Sequence, residues 1–214
     1  MRKLRILLGD DHAMILSGIK GLLEGHYEVI GSEKNGRALI ETAVRLKPDL
    51  VVLDVSMPIL NGIDAAREIK KALPAAKLIF LTMHTNAIYL RKALHAGASG
   101  YVLKSGAAEE LLTAIEEVCK GYIYVGPDFG QDVIESIRST GDSQGGLPAL
   151  TDRQRHILQL LAEGKQNKEI GEIAHISVRT VEFHRSRLMS RLGAHSVAEL
   201  TRFAIQEGLI DGET

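Results

Sequence analysis

Five times in the first 120 residues, a short run of aliphatic and β-branched residues gives way to a segment with helical spacing. The runs are Leu4–Leu8, Glu28–Gly31, Leu50–Leu53, Lys77–Leu81 and Gly100–Leu103. The spacing Ile15, Ile19, Leu22, Leu23 is that of a helix face, and so are Leu39, Ala43, Leu46 and Ile63, Ala66, Ile69. Ile88–His95 reads as a more polar helix, and Leu111, Leu112, Ile115, Val118 mark a last one. Strands that are apolar on both faces must be covered on both faces, and helices between them supply the cover. This alternation predicts a five-stranded, doubly wound parallel sheet of α/β class, roughly 120 residues long.

The texture then changes. Gly121–Gly130 is rich in glycine and aromatics, Asp132–Arg138 reads as one short helix, and Ser139–Pro148 is small, polar and flexible. Everything after that reads as helix. Thr151 and Gln154 form a capping box for a helix through Ile157, Leu160 and Leu161 that Gly164 ends. Asn167–Ala174 is a second helix, His175–Ser177 a tight turn, and Ser177 caps a third helix running to Leu192. Gly193 stops it, and Ser196–Gln206 is a fourth. The expected division is 1–121 as the sheet domain, 122–149 as a linker with a short helix, and 150–214 as an all-α domain.

A net charge of -1 excludes a uniformly basic polymer binder. The single cysteine, Cys119, can make neither a disulfide framework nor a cysteine-rich zinc site, which fits a reducing cytosol. The apolar run near the N-terminus is too short for a signal peptide, and no stretch approaches the roughly 18 apolar residues of a membrane helix. A cytoplasmic protein without a membrane partner is expected.

In a doubly wound sheet, sites form beyond the C-terminal strand ends. Strand one ends in Asp10-Asp11, strand three in Asp54, strand four in Thr82 and strand five in Lys104. Clustered carboxylates repel one another unless a cation intervenes, and Mg²⁺ is the hard ion that works with phosphate. With the ion held by Asp10 and Asp11, Asp54 can attack a phosphoryl group, while Lys104 neutralises charge on the transferring oxygens. Thr82 can bond to the arriving group. Singly, these acids are ordinary helix caps or loop residues: Asp10 or Asp11 could cap a helix starting near Ala13. Four strand ends with complementary chemistry are harder to read that way.

Residues 1–120 resemble the receiver domain of bacterial two-component response regulators, through Asp10-Asp11, DVSMPILNG around Asp54, Thr82 in LIFLT, and Tyr101-Val-Leu-Lys104. The resemblance implies that Asp54 accepts phosphate from a sensor histidine kinase. It implies that Asp11, Asp54 and the backbone carbonyl of Ser56 ligate Mg²⁺, with Asp10 acting through water. It makes Thr82 and Tyr101 a switch pair, and it makes Ser56 and His84 positions that tune phosphate lifetime.

The helical part carries nine Lys/Arg against nine Asp/Glu, but Ser177–Arg191 holds Arg179, Arg185, Arg187 and Arg191 against Glu182 alone. On a helical wheel Val181, Leu188 and Leu192 form a core stripe. Arg179, Glu182, Phe183 and Ser186 lie opposite, Arg187 near them, with His184, Arg191 and Arg185 on the flanks. Arg, Glu and Phe on one outer face suit base edges, and flanking cations suit phosphates. A dimerisation module with solvated arginines fits the charge alone nearly as well. The wording of LTDRQRHILQLLAEGKQNKEI and ISVRTVEFHRSRLMSRLG resembles the LuxR-type helix-turn-helix of the NarL/FixJ family. That resemblance places base reading on Glu182, Phe183 and Ser186, and backbone contact on Lys168, Arg179, Thr180, His184 and Arg185, with Arg187 beside them. Gly171 stands where that family usually has Ala, a change that costs helix propensity.

The resulting expectation is a phosphorylation-controlled transcription factor, not an enzyme, that binds double-stranded promoter DNA as a homodimer, with RNA polymerase as a further partner. Two rivals remain at this level. A phosphohydrolase would use the same aspartyl phosphate, but Ser56 stands where its general acid belongs. A regulator that dimerises or binds a ligand without phosphorylation would not need the full acid, Thr and Lys set.

Overall fold

A computed structural model of the chain describes residues 2–129 and 150–210, which divide into two compact units. The linker segments Asp132–Arg138 and Ser139–Pro148 lie outside the described residues.

The first unit alternates as its sequence pattern dictates. In chain order it runs β1 (Arg5–Gly9), α1 (Ala13–Leu23), β2 (Glu28–Glu33), α2 (Gly36–Leu46), β3 (Leu50–Leu53) and α3 (Gly62–Ala72). It continues through β4 (Lys77–Thr82), α4 (Ala87–His95), β5 (Gly100–Leu103), α5 (Ala107–Lys120) and β6 (Tyr124–Val125). The strands are parallel, in the order β2-β1-β3-β4-β5-β6. The order reverses direction at β1 and β3, so their C-terminal ends frame the crevice.

The expected count of five strands is thus short by one. Strand β6 is two residues long and sits on the β5 edge, with Gly100 opposite Tyr124 and Tyr101 opposite Val125. Two residues have no periodicity to read. Their place is set by the free edge of β5, where Gly126 N also donates to Tyr101 O at 2.9 Å.

Alternate residues of each strand face opposite ways. Ile6, Leu8, Leu50, Val52, Ile79, Leu81 and Val102 pack with Leu16 and Leu23 of α1 and with Leu111, Ile115 and Val118 of α5. Leu7, Val51, Leu53, Leu78, Phe80 and Tyr101 alternate with them and are equally buried. The cost of two dry faces is that the strands end on polar residues only where the sheet edge opens.

The second unit consists, within the described residues, of α6 (Asp152–Ala162), α7 (Asn167–Ala174), α8 (Val178–Leu192) and α9 (Val197–Gln206). Each start is chemically fixed. Thr151 and Gln154 close the expected capping box, Ser177 Oγ accepts from Thr180 N at 3.1 Å, and Ser196 Oγ accepts from Glu199 N at 3.2 Å. The core gathers Ile157, Leu160, Leu161, Ile170, Val181, Leu188, Leu192, Leu200 and Ala204.

Candidate functional site

The crevice of the first unit is built from strand ends. Asp10 follows β1 and is buried at 2% exposure, Asp54 follows β3 at 4%, and Thr82, the last residue of β4, is fully buried. Lys104 follows β5 and reaches both acids: its Nζ is 2.7 Å from Asp10 Oδ2 and 2.5 Å from Asp54 Oδ2. Asp54 Oδ1 is buried with no hydrogen-bond partner among the described residues. The sequence therefore ends its most apolar strand on a carboxylate with one oxygen held and the other uncommitted.

Burial pushes the Asp54 carboxyl above its ordinary pKa, and the nearby Lys104 ammonium pulls it only part of the way back. Burial alone would lower Lys104, but Asp54 first and Asp10 with it hold the ammonium above its usual value. Burial and the ion pair thus pull the Asp54 carboxyl in opposite directions, with burial the stronger.

The backbone after Asp54 turns sharply enough that a side chain at position 62 is impossible. A Cβ on Gly62 would lie 1.8 Å from the Asp54 carbonyl oxygen. Gly62 N donates to Val55 O at 2.7 Å, and Asn61 Oδ1 caps α3 by accepting from Asp64 N at 2.9 Å. Asn61-Gly62 is a helix start locked against the strand end.

Asp11 is partly exposed, and Asp10, Asp11, His12 and Asp54 each offer a ligand atom within 4.8 Å of the others. Neither Asp10 nor Asp11 caps α1. The N-cap is His12, without a side-chain cap bond, and Asp10 Oδ1 accepts from its backbone N–H at 2.9 Å. His12 was absent from the expected site. A lone histidine in a loop gives no signal until the fold sets its Nδ1 2.8 Å from Asp11 Oδ1.

The other expected residues lie around this centre. Tyr101 is fully buried, its hydroxyl donating to His84 O at 3.0 Å. Its ring meets Phe129 edge-on at 5.3 Å, and burial raises its pKa. Ser56 Oγ and His84 Nε2 are 2.8 Å apart, and the His84 ring stacks on Tyr89 at 3.9 Å. The two positions expected to act on phosphate lifetime are thus joined to one another.

In the second unit α8 separates its faces as the wheel requires. Val181, Leu188 and Leu192 are buried, whereas Arg179, Glu182, Phe183, Ser186, Arg187 and Arg191 are exposed. Phe183 is 55% exposed, with the Arg187 guanidinium 5.2 Å from its ring centre and His184 edge-on to it. His184 and Arg185 are half-buried on the flanks, and Lys168 is exposed on α7. Thr180 Oγ1 is 2.8 Å from Ser177 Oγ, so its hydroxyl is engaged at the helix start. Burial, then Arg153 and Arg187, lower the pKa of His184.

The turn before α8 corrects one expectation. His175 takes a left-handed conformation (φ 53°) and closes α7. Gly171 O accepts from Ile176 N, and a Cβ on Gly171 would stand 2.8 Å from Ile176 O. Gly171 is therefore not merely a weakened helix position: it makes room for the turn.

Comparison with known proteins follows the same division. Residues 6–116 match the response regulator receiver domain, and residues 148–204 match the luxR family of bacterial regulatory proteins. The transcriptional regulatory protein MctR of Rhizobium johnstonii is 36% identical over 97% of this chain and 96% of its own length. The response regulator UvrY of Escherichia coli is 32% identical, covering 99% and 98% of the two chains. Among solved structures, the RcsB response regulator of Salmonella typhimurium aligns with a TM-score of 0.64 at 27% identity, over 97% of this chain and 99% of that one. RcsB bound to a promoter in the presence of phosphomimetic BeF₃⁻ aligns with a TM-score of 0.61 at 27% identity, over 96% and 100%.

Proposed function

This chain belongs to the response regulators that join a receiver domain to a LuxR-type DNA-binding domain, and from that premise we propose that Asp54 accepts the phosphoryl group that controls promoter binding. The family is one of DNA-binding transcription regulators rather than enzymes. The observation that carries the assignment of Asp54 is its divided carboxylate: one oxygen held by Lys104, the other buried and uncommitted.

The donor is a sensor kinase phosphohistidine. An Asp54 oxygen forms the new O–P bond as the N–P bond breaks, and the imidazole leaves with the electron pair and takes up a proton. Asp10, Asp11 and Asp54, with the Ser56 carbonyl, are the residues for Mg²⁺, and the orphaned Asp54 oxygen among three carboxylates fits a hard divalent ion. When bound there, such an ion would supply charge neutralisation for the phosphoryl oxygens. Lys104 neutralises the same oxygens from the protein side, Thr82 receives one of them, and Tyr101 is the partner that registers the change.

For the second unit, the proposed reading is major-groove recognition by α8. Glu182, Phe183 and Ser186 address base edges; Lys168, Arg179, Thr180, His184, Arg185 and Arg187 address the backbone. The exposed Phe183 supports this, because a large apolar ring on a charged helix face needs a covering surface. Residues 1–121, 122–149 and 150–214 serve as receiver, linker and DNA-binding domain. The active form is a homodimer on paired half-sites in the cytoplasm; no helix among the described residues is long and apolar enough to cross a membrane.

The test combines a small phosphodonor, mass spectrometry and footprinting on the full chain. The parent gains a phosphoryl mass increment and protects its promoter more strongly when phosphorylated. Asp54→Asn gains none and shows no donor-dependent footprint. An equal increment on Asp54→Asn overturns the assignment.

A further inference from the structure

We propose that Phe129 is a positioning residue for the phosphorylation switch. Packed edge-on against Tyr101, it joins the docking of the turn Gly126–Phe129, at the start of the linker, and the inward position of the Tyr101 ring into one equilibrium. The inference rests on the reading of Asp54 as the phosphoacceptor and Tyr101 as its switch, and it concerns how the state of that switch reaches the chain that follows the receiver.

The Tyr101 hydroxyl donates to His84 O at 3.0 Å, and His84 N donates to Thr82 Oγ1 at 3.4 Å. The phenol is thus tied to the backbone two residues beyond Thr82, whose side chain bonds to Asp54. Two rings flank that of Tyr101. Phe80 is its register partner on β4, 6.2 Å away and tilted by 32°. Phe129 meets it at 5.3 Å and 88°. Strand pairing fixes Phe80, but Phe129 belongs to no strand. It hangs from a turn in which its N–H donates to Gly126 O at 3.1 Å, and Gly126 N–H donates to Tyr101 O at 2.9 Å. Phe129 is nevertheless buried, while Pro127 and Asp128 beside it are exposed.

A turn with two exposed residues and one buried aromatic is held mainly by that aromatic. An edge-to-face ring pair contributes a factor of roughly two to ten beyond the area it buries. If Tyr101 swings outward, it leaves the His84 carbonyl and takes its ring from under Phe129. If the turn lifts, Tyr101 loses one of its two flanking rings. The two arrangements are therefore made or lost together. Linkage is reciprocal: a group on Asp54 that draws Tyr101 inward docks the turn, and a docked turn raises the affinity of the pocket for that group by the same factor. A phenylalanine that only fills the receiver core would lower stability when truncated and leave that affinity alone.

The experiment uses the full-length protein in Mg²⁺, with beryllofluoride as the phosphoryl mimic. Its affinity is read from the ¹⁹F resonance of the bound anion. Docking of the turn is read from amide hydrogen exchange at Gly126 and Phe129, with the β1 amides as the measure of global stabilisation. In the parent, BeF₃⁻ slows exchange at Gly126 and Phe129 severalfold beyond its effect on β1, and that excess disappears in Tyr101→Ala. Phe129→Ala binds BeF₃⁻ roughly threefold to tenfold more weakly, and Phe129→Leu, which keeps apolar volume over the Tyr101 ring, recovers most of the loss. The proposal is overturned if a folded Phe129→Ala binds BeF₃⁻ as tightly as the parent. It is also overturned if the excess protection persists in Tyr101→Ala, a result that does not depend on whether Phe129→Ala folds. Absence of the bound-anion resonance in the parent, or an undiminished one in Asp54→Asn, would instead sink the phosphoacceptor reading of the pocket itself.

Discussion

The acid pocket and α8 both concentrate charge, but they keep it in opposite solvents. In the pocket, Asp10, Asp54 and the Lys104 side chain are nearly dry, none more than 6% exposed, and joined by contacts of 2.5 and 2.7 Å. On α8, Arg179, Glu182, Arg187 and Arg191 stand in water. Dry charges must be paired, because desolvation is not recovered otherwise. Wet charges need no partner and hold each other weakly. The pocket is thus a place where adding one charged group forces a rearrangement. The helix is a surface whose charges are hydrated, and the fold depends on them only weakly.

The sharpest way to break this contrast is to remove one cation from each region. Lys104→Ala leaves two buried carboxylates facing each other and should cost roughly 3–5 kcal/mol of receiver stability. Arg187→Ala on α8 should change stability by less than about 0.5 kcal/mol. Chemical denaturation of both variants checks the pair. A Lys104→Ala cost below about 1 kcal/mol would mean that the pocket is wet.

Function should invert the order. Arg185→Ala, almost silent in folding, should weaken promoter binding roughly tenfold and lower the slope of log affinity against log salt by about one. Binding measured at several salt concentrations tests both. Unchanged affinity and slope would remove Arg185 from the interface.

Much of this contrast could be read from sequence, for reasons that differ between the regions. Strand ends are legible because an apolar run that stops on Asp10, Asp54, Thr82 or Lys104 leaves few places for the polar group to go. The faces of α8 are legible because Val181, Leu188 and Leu192 obey one period. What escaped depends on contact across the chain. Strand β6 exists only because β5 offers an edge. Gly62 matters only because the Asp54 carbonyl comes back to within 1.8 Å of where its Cβ would be. His12 enters the acid cluster through its Nδ1, which no spacing rule encodes.

A third test asks whether Asp54 is as strained as its burial implies. Its folded pKa is raised, so its contribution to stability is full below the unfolded carboxylate value near 4 and is lost as pH rises through the higher folded value. At pH 7 the charged group is a net cost. Asp54→Asn should therefore stabilise the receiver at pH 7 by about 1 kcal/mol, or roughly 4 °C, and the gain should vanish below about pH 4. A thermal melt series over pH shows it. A pH-independent gain would trace the effect to something other than the carboxylate charge.

The smallest effect tests the turn that positions α8. Propensity alone says that Gly171→Ala, inside α7, should add about 1 kcal/mol. The fold opposes that gain. The new Cβ would sit 2.8 Å from Ile176 O, a backbone atom in the turn that Gly171 O itself holds through Ile176 N. A backbone atom cannot swing away as a side-chain tip can, so the turn must shift by several tenths of an ångström. His175, already in a left-handed conformation at φ 53°, has little room to absorb that shift. The stability gain should therefore fall well short of about 1 kcal/mol. Denaturation of the variant measures it, and amide chemical shifts of residues 175–180 should move where those of α6 do not. A full propensity gain with unmoved shifts would show that the turn has slack, and that the start of α8 is set by Ser177 alone.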